Sequence, residues 1–296
     1  MDVPTRGLHV AEAQPPRYAG SIRIDGSDRS PIDPQRVDGH LRSVRSLAPY
    51  AEIEKRGAAT DSAWTTSDGH QIVFLTSGVL HLEVDGARWF LPPRRAAWLR
   101  DGARHRFTYC SDFEAKKVVL PKQSFNGDVP QHDCCVFAPS MLAQELFDHA
   151  LRFPAGAHAC ELSNATFELI AGLTSEWVRS TLPLRLPTPR SEDLARAMSY
   201  TLENLGNQPT IEEAARGAGL STRSLARRFQ DETGTTWRKY LHDARMIRAM
   251  ELLSIKHARI EAAARAVGFE SAAAFSRAFE AFTSEKPKDY RRRFTR

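Results

Sequence analysis

Ala214-Ala215-Arg216-Gly217-Ala218-Gly219-Leu220-Ser221 opens a phrase that this chain uses twice. The first copy runs on to Leu225-Ala226-Arg227-Arg228-Phe229. The second, Ala263-Ala264-Arg265-Ala266-Val267-Gly268-Phe269-Glu270-Ser271, runs on to Phe275-Ser276-Arg277-Ala278-Phe279. The alanine pairs stand 49 residues apart and the closing phenylalanines 50, so the second copy carries one extra residue near Glu270. Each copy reads as a short helix, a glycine turn and a second helix that opens on a hydroxyl cap. Gly219 supplies the turn, where a positive φ penalises other residues. Thr210 and Glu213 make a capping box before the first copy, and Ser221 caps its second helix.

Helical spacing sorts the faces. Leu225 and Phe229 lie four apart and point to a core. Arg223 and Arg227, also four apart, share another face with Thr222 and Ala226 beside it. Arginine can grip guanine with two hydrogen bonds, about 1–3 kcal/mol of discrimination per contact. A contact to phosphate alone is the rival reading for each arginine. In the second copy Phe275 and Phe279 are the core pair, and Ser276 and Arg277 are the polar candidates. Ala272, Ala273 and Ala274 offer only methyl groups, for example to a thymine methyl. The second copy is therefore expected to read fewer bases and to lean more on the backbone.

A helix is expected between the copies, from about Thr235 to Leu253. Trp237, Tyr240, Leu241 and Ala244 form one apolar stripe, and Met246, Ala249, Met250 and Leu253 form another. The stripes start nine residues apart, about half a turn around the axis. One end should pack on the first copy and the other on the second. Such a helix spans about 28 Å and suits two groups set on successive major-groove turns about 34 Å apart.

At 296 residues the chain suits two domains. From residue 190 to 296 there are 20 Lys+Arg against 14 Asp+Glu, so that part carries +6 of a chain total of +5. All of the net positive charge lies with the repeat, as phosphate contact requires. No apolar run is long enough to span a membrane, and the Pro-rich start suggests no signal peptide. Cys110, Cys134, Cys135 and Cys160 make no zinc pattern; reduced thiols in the cytoplasm are expected.

Along the chain, residues 1–38 are expected to form a loosely ordered arm. Residues 39–125 read as short strands and turns, suggesting a small barrel. Gln71–Thr76 is a buried strand. Leu80, Leu82 and Val84 alternate with His81 and Glu83, which read as a polar strand face, and Asp85-Gly86 is a hairpin signal. Residues 126–180 read as helical, with Met141, Leu142, Leu146 and Ala150 in one stripe and Phe167, Leu169, Ile170, Leu173 and Trp177 in another. Residues 181–190 hold three prolines and read as a linker; a helical domain covers 191–296.

From about Ser191 to Arg293 these residues resemble the AraC/XylS family of transcriptional regulators, down to the ending Pro287, Tyr290 and Arg291. The resemblance implies an α+β chain: an N-terminal cupin-like barrel, then an all-α domain with two helix-turn-helix motifs joined by a long helix. It implies DNA-facing helices at about Ser221–Gln230 and Ser271–Ala281. Ser221, Thr222, Arg223, Ala226 and Arg227 fall in the first, and Ala273, Ser276 and Arg277 in the second.

Ser77-Gly78, Pro92-Pro93, Ala96, Trp98 and His105 are similar to the family's cupin-type sensor, which makes His70, Trp98 and His105 candidates for an effector pocket. The paired histidine of metal-binding cupins is absent, with Asp68 two before His70, so neither a metal nor another cofactor is expected. The implied protein is a cytoplasmic, non-enzymatic, sequence-specific regulator of double-stranded promoter DNA. Its implied partners are a small-molecule effector, a second copy of itself and RNA polymerase, with no membrane. Two rivals stand beside it: a cupin metalloenzyme fused to a DNA-binding tail, and a sequence-indifferent architectural DNA binder.

Overall fold

A computed structural model describes residues 48–56, 60–84, 86–109, 112–125, 129–255 and 257–294. The expected arm at 1–38, the start of the expected barrel, Asp85 of the hairpin signal and Cys110 lie outside the described residues. The strands are β1 (Tyr50–Arg56), β2 (Thr60–Asp61), β3 (Thr65–Thr66), β4 (His70–Ser77), β5 (Leu80–Val84) and β6 (Ala87–Leu91). They continue as β7 (Ala96–Leu99), β8 (Arg104–Tyr109), β9 (Phe113–Leu120) and β10 (Cys134–Phe137).

The strands do not close into the expected barrel. They form two separate sheets, ordered β1-β9-β4-β7-β10 and, with a later strand β11 (Arg185–Pro187), β11-β6-β5-β8-β2. Alternation explains the arrangement. Val73 and Leu75 of the first sheet share one apolar cluster with Leu80, Leu82 and Val84 of the second. The opposite face of the first sheet is also apolar, with Ile72, Phe74, Trp98 and Val118, and so needs a cover of its own.

Helices α1 (Met141–Ala150) and α2 (Glu161–Trp177) supply that cover. Ser140 caps α1, and Ala143, Phe147 and Ala150 turn inward. Their spacing sets a register different from the expected stripe: Met141 and Leu142 face out, as does Leu169 on α2. The expected linker is partly sheet. Strand β11 runs antiparallel to β6, pairing Arg185 with Trp89 and Pro187 with Ala87, and the Thr188 N–H donates to the Gly86 carbonyl at 2.9 Å. A proline is tolerated there because β11 is an edge strand.

The rest is helical: α3 (Glu192–Glu203), α4 (Ile211–Gly217), α5 (Thr222–Thr233), α6 (Trp237–Leu253), α7 (Ile260–Ala266), α8 (Ala272–Thr283) and α9 (Pro287–Arg292). Helix α6 starts two residues later than the sequence suggests, because the Thr236 hydroxyl accepts the Lys239 N–H and caps it. Its 17 residues span about 25 Å. Its stripes do part company. Trp237, Tyr240, Leu241 and Ala244 enter the core of α3, α4 and α5, while Met246, Ala249, Met250 and Leu253 join the core of α7, α8 and α9.

Candidate nucleic-acid interface

Two helical heads flank α6. In the first, α4 carries the expected box: Thr210 accepts from the Glu213 N–H at 3.2 Å, and Glu213 accepts from the Thr210 N–H at 2.9 Å. Gly219 makes the turn at φ 71°, and Ser221 caps α5 by accepting the Ser224 N–H. In the second, Arg259 precedes α7 with no side-chain cap, Gly268 makes the turn at φ 80°, and Ser271 caps α8. Leu225, Phe229, Phe275 and Phe279 are fully buried, so the outer face of each second helix is fixed by its apolar pair.

On α5 that outer face shows Arg223, Ala226 and Arg227, all exposed, with Thr222 half-buried beside them. On α8 it shows Ala273 and Arg277, exposed, and Ser276 half-buried. Among the described residues Arg223, Arg227 and Arg277 take part in no salt bridge. Arg228, one position on, is engaged within the protein: it pairs with Asp193 at 3.2 Å. Two expected contacts are already engaged within their own helices. The Ser221 hydroxyl serves as a cap, and Ser276 donates back to the Ala272 carbonyl at 2.8 Å. Along these outer faces stand three guanidinium groups, the Thr222 hydroxyl and a set of methyl surfaces.

Residues 214–293 match a family model described as a helix-turn-helix domain. Over 251 residues the chain is 24% identical to the HTH-type transcriptional regulator NimR of Escherichia coli, across 80% of this chain and 86% of that one. It is 28% identical over 273 residues to the transcriptional activator NphR of a Rhodococcus species, covering 88% and 79%. Residues 214–293 are thus similar to the DNA-binding domain of AraC-type transcription regulators. The chain is a DNA-binding transcription regulator, like the relatives that it matches. A solved chain of Vibrio cholerae ToxT aligns with a TM-score of 0.36 at 11% identity, over 83% of this chain and 95% of that one.

The three effector candidates do not meet in one place. His70 and Trp98 stack at 4.9 Å on the helix-covered face of the first sheet, with Phe125 edge-on at 5.0 Å. His70 Nδ1 accepts the Asp101 N–H at 3.1 Å, and Trp98 Nε1 donates to the His132 carbonyl at 3.0 Å. His105 belongs to the second sheet, beside Phe107 at 5.5 Å, and its Nδ1 bonds the Ala103 carbonyl. Burial lowers the pKa of His70, despite Asp101, and of His105. Among the described residues no three His, Cys, Asp or Glu side chains are grouped to hold a metal ion.

Burial pushes the Cys135 thiol up to about 12 and that of Cys134 well above its ordinary value, which makes both poor nucleophiles. Sequence reasoning missed the residues that join the two halves. His81, expected on a polar strand face, is 5% exposed, and its Nε2 lies 2.9 Å from Glu251 of α6. Arg95, between β6 and β7, reaches Glu285 at 2.9 Å. Glu232 at the end of α5 accepts the Arg190 and Ser191 N–H groups and the Ser191 hydroxyl. Periodicity carries no signal for contacts between residues so far apart in sequence.

Proposed function

We propose that residues 191–296 read promoter DNA through two major-groove helices, α5 contributing Arg223, Arg227, Thr222 and Ala226, and α8 contributing Arg277, Ser276 and Ala273. The observation that carries the reading is the set of three exposed arginines, outside any salt bridge among the described residues, on the outward faces of helices locked by buried apolar pairs. Helix α6 is the rigid spacer. Its length of about 25 Å, plus the reach of side chains at either end, suits heads on successive groove turns.

The N-terminal half, read as a cupin-like region over 39–125 and a helical segment over 126–180, senses an effector or pairs two copies. Exposed Met141, Leu142, Leu162 and Leu169 on α1 and α2 support pairing through that segment. His70 and Trp98 together, rather than with His105, support an aromatic subsite. A regulator of promoter DNA works in the cytoplasm, where it can also meet RNA polymerase.

The test is a fluorescence-anisotropy titration against the DNA upstream of the protein's own coding sequence and a scrambled control, at physiological salt. Preference for the upstream DNA by about 10³-fold or more supports sequence-specific reading. Equal binding to both, strongly salt-dependent, favours the architectural alternative. Stoichiometric metal in the purified protein would favour the metalloenzyme alternative.

A further inference from the structure

The repeat offers an internal control, because positions of one head have counterparts in the other, 49 residues away before the extra residue near Glu270 and fifty after it. Differences between counterparts mark where the heads are held differently. Glu285, just after α8, stands where the first head has Thr235. Its carboxylate takes Arg95 of the N-terminal half on one oxygen and Arg293 on the other. The Arg95 and Glu285 side chains are 10% and 13% exposed, so the pair is a built contact and not a surface encounter.

A second contact lies alongside. His81 projects from the outer face of the second sheet to Glu251 in the far half of α6, whose other oxygen accepts Arg248 at 2.8 Å. Glu251 sits in the stretch of α6 that packs into the second head. The apolar core itself runs on from between the sheets into α7, α8 and α9. The first head is held otherwise. Among the described residues no salt bridge joins the N-terminal half to α4 or α5. Its tie is the chain itself: β11, then Thr188 on Gly86, then Arg190 and Ser191 on Glu232. The counterpart of Glu232 in the second head is Phe282, which cannot make that tie.

Buried ion pairs stabilise little compared with apolar packing, but they fix one docking geometry, and their charges find water readily when the surfaces part. One such pair, Arg95–Glu285, with the His81 hydrogen bond to the Glu251 carboxylate beside it, makes a contact on one head that is specific and detachable. We propose that the N-terminal half clamps the second head, and not the first, through Arg95–Glu285 and His81–Glu251. Resting on the DNA-binding reading, this makes presentation of α8 conditional on the state of the sheets, while α5 reads independently.

The test is hydrogen–deuterium exchange on the full chain without DNA, for wild type, Arg95→Ala, Arg95→Lys and Glu285→Gln. Arg95→Ala and Glu285→Gln should each speed exchange over 272–293 by about tenfold and leave 211–233 unchanged, with Arg95→Lys closer to wild type. Equal acceleration of both heads, or none in either, overturns the proposal. Glu285→Gln keeps shape and volume, so it decides the matter if Arg95→Ala folds poorly. Because no DNA is present, failure of the clamp and failure of the DNA reading appear in separate experiments.

Discussion

The ring of Tyr290 lies 5.5 Å from that of Phe279, and fifty residues earlier the ring of Tyr240 lies at the same distance from Phe229. The repeat thus extends past the helix–turn–helix phrase into the first turn of the next helix, α6 or α9. In each head the tyrosine closes the floor under the second helix, which keeps the helix's outer face turned to solvent. Aromatic pairs of this kind add about 0.5–1.5 kcal/mol beyond the area they bury.

Tyr290 also has a polar tie: its hydroxyl is 3.1 Å from Ser254 Oγ, at the end of α6. Removing it by Tyr290→Phe should cost about 1 kcal/mol in urea unfolding. Ser254→Ala should cost a similar amount, and the double substitution little more than either one. Full additivity would show that the two hydroxyls do not interact.

How far the chain could be read in advance depended on the range of the contact. The face switch on α6 was visible because both stripes are local, and Trp237 and Met246 duly enter different cores. Strand alternation separated Leu82 from His81, but it says which residues share a face and not which layer covers that face. His70 and His105 therefore read alike in sequence and lie in different sheets, and His81 read as polar surface although α6 buries it. Met141 misled for a related reason: apolar spacing alone did not reveal that Ala143 and Phe147 set the register of α1.

The two turn glycines look equivalent in sequence and differ in their surroundings. A Cβ on Gly219 would meet nothing within 4 Å, whereas one on Gly268 would stand 2.6 Å from the Leu205 carbonyl oxygen. Both have positive φ, so alanine at either costs about 1–2 kcal/mol in backbone strain. Gly268→Ala should cost clearly more, because a backbone atom must also move. Comparable losses of thermal stability for the two variants would contradict this difference in packing.

Acid should loosen the N-terminal half first. Burial lowers the pKa of His70, His81 and His105; for His81, Arg88 and Arg248 add repulsion that opposes the attraction of Glu251. Unfolded, each titrates near 6.5. Between that value and the lower native ones the unfolded chain binds protons that the folded chain refuses. Stability is complete above 6.5 and declines as pH falls through this window, by at most about 1.4 kcal/mol per pH unit for each histidine. Glu251 works in the same direction at lower pH: burial pushes its carboxyl up, but the His81 hydrogen bond and Arg248 hold it below the usual range. Urea midpoints should drop between about pH 7.5 and about pH 5.5, and His105→Gln should flatten the slope. A midpoint that is level across that range would exclude these groups as the source.

Neighbouring arginines on α5 should behave differently. Arg227 is exposed and outside any salt bridge among the described residues, whereas Arg228 is tied to Asp193 at 3.2 Å. A base contact is lost only on the cognate site, so Arg227→Ala should weaken specific binding by about 1–3 kcal/mol and nonspecific binding much less. A phosphate contact is lost on every sequence, so an equal fall on both DNAs would reassign Arg227 to the backbone. Arg228→Ala should leave the specific-to-nonspecific ratio unchanged and lower stability by no more than about 1 kcal/mol, because its pair is partly exposed. Anisotropy titrations of the two variants on cognate and scrambled DNA, beside their urea curves, separate a reading residue from a bracing one.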